Sequence, residues 1–287
     1  MRVERPGTPE AVREAVGRVR RDGGTIALVP TMGALHEGHL SLVRAARART
    51  DAVFVSVFVN PAQFGPGEDL AAYPRDLECD AELLATEGAF ALFAPGVESM
   101  YPVGSSTTVD PGVLGTVLEG ASRPGHFVGV ATVVIKLLSM VAPDVAFFGE
   151  KDFQQLVIID HIVRDLDLPV RVVGCPTVRE PDGLAMSSRN AYLDGPARDA
   201  ATVLHRGLRA VADLAASGER SGAALATVLA ATVAAEPLAA LDYAAVVDPG
   251  SLAPIETLEC PARALVAARV GPARLIDNIE VLPGRPS

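Results

Sequence analysis

The stretch Val29-Pro30-Thr31-Met32-Gly33-Ala34-Leu35-His36-Glu37-Gly38-His39-Leu40 decides how we interpret this chain. It joins an apolar run at residues 25–29 to a helical pattern that continues from Leu40, so it predicts a strand, a turn and a helix in succession. The first N–H groups of a helix have no partners within it and attract anions. Residues three apart share one face of a helix, so His36 and His39 can reach the same ligand. The pattern therefore predicts a site for nucleotide phosphates.

The same motif has two alternative interpretations. His-Glu-Gly-His resembles the helix motif of zinc proteases, but that motif places its histidines four residues apart, and here His39 comes one position early. Cys79, Cys175 and Cys260 are scattered without a short-spaced pair, so no structural zinc site is indicated. A capping or packing role for the histidines remains open from the motif alone.

Composition limits the class of protein. The 287 residues are 49% hydrophobic and 21% charged, which is typical of a soluble globular chain with one large or two ordinary domains. The N-terminus lacks the apolar core of a signal peptide, and the most apolar region, residues 127–148, is interrupted by Lys136, Pro143 and Asp144. We therefore expect a cytoplasmic protein without a membrane partner, and the odd, scattered cysteines agree.

The net charge restricts the ligands. A formal charge of −10 argues against a general nucleic-acid surface. An anionic substrate then requires a locally positive pocket that overcomes the field of the whole protein.

Helix and strand patterns alternate over the first 180 residues. The strand patterns occupy residues 25–29, 52–59, 89–93, 145–148 and 170–173. The helix patterns occupy residues 10–21, 38–50, 76–87, 128–141 and 153–165. This alternation predicts an α/β fold, a Rossmann-like parallel sheet wrapped by helices, with ligands at the carboxyl ends of the strands.

The pattern changes near residue 180. Two Ala-rich helices are predicted over residues 195–216 and 222–235, followed by short strands at 241–247, 263–270 and 274–278. We therefore predict two domains. Residues 1–180 form the Rossmann-like, ligand-binding domain, and residues 181–287 form a smaller α+β domain.

Polar residues follow the predicted strands. Gln63 lies in the loop after residues 52–59, and Lys151 and Asp152 lie where a second strand leads into a helix. A loop at residues 120–126 brings Arg123 and His126 ahead of another helix. Met186-Ser187-Ser188-Arg189, segment 186–189 below, offers two hydroxyls and a guanidinium that suit a mobile strap over phosphates. Each loop alone is also typical of an ordinary turn, but together they predict an ATP site.

The motifs, read together, resemble one family. The first motif and segment 186–189 are similar to the paired His-x-x-His and Lys-Met-Ser-Lys-Ser elements of nucleotidylyltransferases and class I aminoacyl-tRNA synthetases. Five longer motifs resemble the pantothenate synthetase (pantoate–β-alanine ligase) family. The resemblance extends over residues 25–193 and weakens beyond them. The resembling motifs are Pro30-Thr31-Met32-Gly33-Ala34-Leu35-His36-Glu37-Gly38-His39, Phe58-Val59-Asn60-Pro61-Ala62-Gln63-Phe64, Gly125-His126-Phe127-x-Gly129-Val130, Phe148-Gly149-Glu150-Lys151-Asp152-x-Gln154-Gln155 and Met186-Ser187-Ser188-Arg189-Asn190.

The resemblance implies an ATP-dependent, AMP-forming carbon–nitrogen ligase. Pantoate and MgATP would give pantoyl adenylate and pyrophosphate, and β-alanine would then give pantothenate and AMP. The first domain would bind nucleotide and pantoate, and the second would carry segment 186–189 and a lid over the site. The resemblance also implies a homodimer and magnesium that arrives with ATP.

The family's site residues match positions of this chain. Catalytic groups would be His36, His39, Lys151, Ser187, Ser188 and Arg189. ATP would contact these groups together with Pro30, Met32, Gly149, Asp152, Val178 and Met186. Pantoate would contact Met32, Gln63 and Gln155, while β-alanine or the reacting centre would lie near Tyr73, Arg123 and His126. Where the family commonly has two adjacent acids after Tyr-Pro-Arg, this chain has Glu78-Cys79-Asp80, which leaves Asp80 as the expected magnesium ligand.

Three hypotheses follow from the sequence. The first is the ligase. The second is another adenylyl- or cytidylyl-transferring enzyme or a synthetase fragment, against which the acidic charge and the absence of a basic RNA-binding module argue. The third is a non-catalytic nucleotide-binding or scaffolding protein. Since both histidines and segment 186–189 are retained, we favour the ligase.

Overall fold

A computed structural model describes residues 3–284. These residues divide into two compact units. The first runs to Thr116 and includes Arg123–Glu150 and Ile158–Pro176. The second includes Val117–Ser122, Lys151–Val157 and the chain from Thr177 onward. Two short segments of the second unit therefore lie within residues 1–180 of the sequence.

The helices have the following bounds. In chain order they are α1 (Pro9–Arg21), α2 (Glu37–Arg47), α3 (Leu77–Glu87), α4 (Val97–Met100), α5 (Glu119–Ser122), α6 (His126–Val141), α7 (Phe153–Asp165), α8 (Gly195–Ala201), α9 (Val203–Ala216) and α10 (Gly222–Ala234). Among residues 3–284, no helix combines the length and apolar character needed to cross a membrane.

The first unit contains a parallel sheet of five strands. These are β1 (Ile26–Thr31), β2 (Ala52–Val57), β3 (Ala91–Phe93), β4 (Val145–Gly149) and β5 (Arg171–Cys175). Their order is β3–β2–β1–β4–β5, with every neighbouring pair parallel. Successive residues of β1 and β2 are buried on both faces, as a parallel sheet covered by helices requires. The predicted α/β class with a Rossmann-like parallel sheet is confirmed.

The second unit contains an antiparallel sheet of three strands. These are β6 (Ala239–Val247), β7 (Ala262–Val270) and β8 (Ala273–Val281), in that order. Leucines of α9 and α10 and the inner face of β7 form its apolar core. The smaller α+β part of the predicted fold is therefore also present.

The prediction of one helix over residues 195–216 is wrong. The segment forms two helices, α8 and α9, that meet at Thr202. The Thr202 hydroxyl donates to the carbonyl oxygen of Asp199 at 2.7 Å. The Ala-rich sequence pattern continues through Thr202 and therefore does not reveal the interruption.

Candidate active site

His36 and His39 lie side by side where β1 leads into α2. His36 is the N-cap of α2, and its Nδ1 accepts the N–H of Gly38 at 3.1 Å. The Nδ1 of His39 accepts the N–H of His36 at 3.3 Å. Since a backbone N–H only donates, each Nδ1 is an acceptor, and a neutral ring then carries its proton on Nε2. The ring centroids are 4.1 Å apart, so two Nε2–H donors accompany a helix N-terminus.

The backbone before the histidines is held by a carboxylate from α3. Gly33 and Ala34 both have left-handed φ angles, +88° and +51°. Asp80 accepts the N–H of Ala34 at 3.1 Å through Oδ2 and the N–H of Leu35 at 2.8 Å through Oδ1. A Cβ on Gly33 would lie 3.0 Å from the same Oδ2. The turn therefore needs glycine at this position as well as the carboxylate.

Asp80 does not fit the expected magnesium ligand. Its side chain is only 2% exposed, and both carboxylate oxygens already bind backbone N–H groups. Burial raises the pKa of Asp80, and the two backbone hydrogen bonds oppose that rise. Within residues 3–284, no three His, Cys, Asp or Glu side chains are grouped so as to hold a metal ion. The position that the sequence assigns to metal binding instead holds the His36 turn in shape.

The loop after β2 brings together two of the predicted pantoate residues. Gln63 ends a short 3₁₀ turn, Pro61–Gln63, and its Nε2 lies 3.2 Å from the sulfur of Met32. The buried Asn60 fixes Gln63 by donating from Nδ2 to Oε1 at 3.0 Å. The Tyr101 hydroxyl donates to Asn60 Oδ1 at 2.8 Å, and burial raises the pKa of Tyr101 to about 12. Neither supporting residue was predicted, and the only sequence signal was an Asn-Pro pair after a strand.

Helix α6 packs directly against this loop. Asn60 Nδ2 also donates to the carbonyl oxygen of Gly129 at 3.1 Å. A Cβ on Gly129 would lie 2.2 Å from the carbonyl oxygen of Ala62, so only glycine permits this approach. The position of Gln63 therefore depends on the packing of α6.

Arg123 and His126 both contact the backbone carbonyl oxygen of Gln63. The Nδ1 of His126 lies 2.8 Å from the Gln63 carbonyl oxygen, which can only accept, so Nδ1 carries the proton. Arg123 donates to His126 Nε2 at 3.1 Å and to the same carbonyl at 3.3 Å. Its guanidinium also makes two 2.7 Å bonds to the carboxylate of Glu68, which hold the pKa of Glu68 below its usual range. Glu68 was missed because a loop acid shows no partner in sequence.

The predicted loop over residues 120–126 is partly helical. Its first residues belong to α5, and His126 begins α6 after Gly125 in a left-handed conformation. Tyr73, the remaining residue assigned to the reacting centre, is buried against Phe64 with ring centroids 6.3 Å apart. It packs within the loop that carries Glu68.

In the second unit, Lys151 lies in the 3₁₀ turn Glu150–Asp152 that follows Gly149 at the end of β4. The Lys151 Nζ is 3.6 Å from an oxygen of Asp152. Both residues precede the first turn of α7, where the sequence places phosphate charge.

Of the two adjacent glutamines on α7, one has a structural role. Gln154 is buried, donates to the carbonyl oxygen of Val117 at 2.8 Å and accepts the N–H of Glu119 at 3.1 Å. The half-buried side chain of Gln155 makes no hydrogen bond to any residue in the described part of the chain. Gln155 is therefore the one whose amide is available to a ligand.

Segment 186–189 is an ordered turn of the second unit. The N–H of Met186 donates to the carbonyl oxygen of Val178 at 3.0 Å, which pairs two of the predicted ATP-binding residues. Ser187 caps the 3₁₀ turn Ser188–Tyr192 by accepting the N–H of Arg189 at 3.2 Å. The segment thus presents two hydroxyls and a guanidinium on consecutive residues of a helical turn.

Comparison with known proteins gives one consistent result. The sequence profile of the pantoate–β-alanine ligase family matches residues 6–280. The pantothenate synthetase of Roseiflexus sp. (strain RS-1) is 56% identical over 255 residues, 89% of this chain and 92% of the relative. The crystal structure of pantothenate synthetase from Thermus thermophilus has a TM-score of 0.92 at 50% identity and covers 98% of this chain and 100% of that one.

A further solved structure contains bound ligands. The pantoate–β-alanine ligase from Francisella tularensis, described as complexed with β,γ-ATP and β-alanine, has a TM-score of 0.80 at 33% identity. It covers 96% of this chain and 97% of the relative.

Proposed function

The chain belongs to the pantoate–β-alanine ligase family, and we propose that it makes pantothenate through a pantoyl-adenylate intermediate. In the first step a pantoate carboxylate oxygen attacks the α-phosphorus of ATP, and the bond to pyrophosphate breaks. In the second step the β-alanine amine attacks the acyl carbon, loses a proton, and AMP leaves with the electron pair of the broken C–O bond. No side chain becomes a covalent nucleophile on this route.

The histidine pair is the observation that carries the proposal. The first step brings two anions together, so it needs donors fixed where charge grows on the phosphate. Two Nε2–H groups at the N-terminus of α2 are such donors, because their Nδ1 atoms are held by backbone N–H groups. Fixed donors need no reorganisation when the transition state forms.

Pantoate binding is supported by the Gln63 loop. Gln63 can bind the hydroxyl or carboxylate of pantoate without adding charge, and Met32 offers an apolar, polarisable surface to the gem-dimethyl group. Asn60 orients the Gln63 amide. Arg123 and His126 bind the Gln63 backbone, and we propose from the family resemblance that they lie near β-alanine or the reacting carboxylate. Tyr73 is retained with these two residues in the proposal.

The family resemblance also assigns phosphate-binding roles to residues of the second unit. We propose that Lys151, Ser187, Ser188 and Arg189 bind the phosphates, since they supply two charges and two hydroxyls. The ATP-binding set is completed by Pro30, Gly149, Asp152, Val178 and Met186. Gln155, whose amide is available, is proposed as the second pantoate glutamine.

Magnesium enters this proposal as part of the substrate. Mg²⁺ commonly keeps several waters and binds substrate phosphates with few protein carboxylates. Because Asp80 is committed to backbone N–H groups, we propose that the ATP phosphates hold the ion and assign no protein ligand. The homodimer and the cytoplasmic location stay predictions.

Pyrophosphate exchange into ATP tests the function. We expect exchange of labelled pyrophosphate that requires pantoate and proceeds without β-alanine, because the adenylation half-reaction is reversible. Exchange that is independent of pantoate, or absent from folded protein that binds ATP, would contradict the adenylate route. A panel of other acids and nucleotides would then separate the remaining hypotheses.

A further inference from the structure

The second unit contains a group of buried polar side chains that the proposed reaction does not use. Asp277 and Asn278 on β8 are each 3% exposed, and Arg263 on β7 is 8% exposed. An apolar core of leucines, valines and alanines already surrounds these strands. Burying polar groups costs free energy that apolar residues of similar size would not, so their contacts indicate what they position.

The carboxamide of Asn278 is bound at both ends. Its Nδ2 donates to the carbonyl oxygen of Lys151 at 2.8 Å. Its Oδ1 accepts the Nε–H of Arg263 at 2.6 Å. The Arg263 guanidinium in turn lies over the ring of Phe153, 4.2 Å from its centroid. The side chain thus fixes the backbone of the turn that carries Lys151, and its guanidinium partner packs on the first residue of α7.

The neighbouring residue fixes a second segment. Asp277 accepts two bonds from the Arg179 guanidinium, at 2.6 and 2.9 Å, and one from the N–H of Asn278 at 2.7 Å. Arg179 also donates to the carbonyl oxygen of Gly183 at 3.0 Å. Gly183 lies in the turn that Arg179 and Ala185 close, directly before segment 186–189. Adjacent residues of one strand therefore hold the turn of Lys151 and the approach to segment 186–189.

We propose that Asn278 is a positioning residue that fixes the turn of Lys151 for phosphate binding. Through Arg179, Asp277 positions the hairpin that precedes segment 186–189. The inference rests on the proposed function, because Lys151 and segment 186–189 matter only if ATP reacts there. A lysine side chain is long and loses much conformational freedom when ordered, so its backbone must be placed accurately. A displacement of about 1 Å in a reacting group can cost about 100-fold in rate.

The substitution Asn278→Asp isolates the key contact. It keeps an oxygen that accepts from Arg263 and replaces the donor to Lys151 by a second oxygen. We expect pantoate-dependent exchange at pH 8 to fall by about 10- to 100-fold, with pantoate affinity in calorimetry unchanged. The deficit relative to the unsubstituted chain should shrink at lower pH, because a protonated carboxyl regains a donor. The exposed Glu280 on the same strand supplies the control, and Glu280→Gln should leave the rate unchanged.

A double-mutant cycle separates positioning from general stability. If Asn278 acts through Lys151, adding Asn278→Asp to Lys151→Ala should reduce exchange by less than twofold beyond Lys151→Ala alone. Full additivity, or an Asn278→Asp rate within twofold of the unsubstituted chain, would overturn the inference. Should Asn278→Asp fail to fold, Arg263→Lys, which replaces the guanidinium Nε–H that binds Asn278 Oδ1 by a flexible ammonium group, allows the same cycle with a smaller expected loss.

Failure of the inference is distinguishable from failure of the proposed function. Absence of exchange in the unsubstituted, folded protein contradicts the function itself. Normal exchange there, combined with an additive cycle, contradicts only the role of Asn278.

Discussion

The turns after β1 and β4 occupy equivalent places in the sheet and are held in different ways. Both end a parallel strand and lead into a helix, and their strands are neighbours. The first is fixed largely by its own residues, since His36 and His39 bind backbone N–H groups two and three positions away. The second depends on a side chain distant in sequence, because the carbonyl oxygen of Lys151 binds Asn278, 127 residues further along the chain.

The difference shows which parts of a site a sequence can reveal. A turn that caps itself places its functional and structural residues in one short motif. A turn held by a distant strand shows only its functional residue, while its support lies among unremarkable strand residues. The first turn also has one distant support, Asp80, for which the sequence predicts a different role, that of a magnesium ligand.

The largest expected effect tests the self-capped turn. His39→Ala removes a preorganised donor, so pantoate-dependent exchange should fall about 100- to 1000-fold, equivalent to ~3–4 kcal/mol. The free energy of unfolding should change much less. His161→Ala, which removes a histidine from α7, is the matched control. A His39→Ala rate within threefold of the unsubstituted protein would remove His39 from the reaction.

Asp80→Asn tests the distant support of that same turn. An amide offers one oxygen to two backbone N–H groups and turns a donor toward one of them, so we expect a loss of ~2 kcal/mol in the free energy of unfolding. Urea denaturation measures this change. The exposed Glu78 on α3 provides the control Glu78→Gln. The dependence of the remaining exchange rate on magnesium concentration should not change, and a large increase in the magnesium requirement would restore Asp80 as a metal ligand.

Adjacent glutamines on α7 sharpen the contrast between ligand contact and structural support. Gln155→Ala should weaken pantoate binding by about 5- to 10-fold with unchanged stability, as expected for one lost hydrogen bond. Gln154→Ala should instead lower the free energy of unfolding by ~1 kcal/mol, because it leaves the Val117 carbonyl and Glu119 N–H without their partner. Calorimetry and urea denaturation on both variants check the assignment. If Gln154→Ala weakened pantoate binding and Gln155→Ala lowered stability, the two roles would have to be reversed.

The smallest expected effect concerns the Glu68–Arg123 pair in the loop after β2. Arg123 lowers the pKa of Glu68 in the folded protein, so the pair stabilises the fold above the ordinary glutamate pKa. This stability is lost as the pH falls through the lowered, folded-state pKa. We expect the free energy of unfolding of the unsubstituted protein to exceed that of Glu68→Gln by ~0.5–1 kcal/mol at pH 7. The value is modest because the pair is partly exposed.

Urea denaturation at several pH values measures that difference directly. It should approach zero as the pH falls below the ordinary glutamate range. A difference that stays constant down to pH 3 would mean that Glu68 contributes by packing and not by charge.

By itself the sequence determined the local parts of this protein. Apolar β-branched runs separated by amphipathic helices specified the parallel sheet, because the hydrophobic periodicity that indicates a buried strand or helix is a property of neighbouring residues. The close spacing of His36 and His39 predicts a phosphate-binding turn, and the order of the motifs predicts the ligase family to which the chain belongs. The break at Thr202 was not predicted because the Ala-rich pattern continues across it.

Only the tertiary structure decided which residues support the site. Asp80, Asn60 and Asn278 act through backbone groups or side chains brought to them by folding. A backbone N–H or carbonyl is identical at every position, so sequence cannot show which one a distant carboxylate or amide will bind. For the same reason the sequence could not distinguish the roles of Gln154 and Gln155, which are the same residue type and differ only in their surroundings.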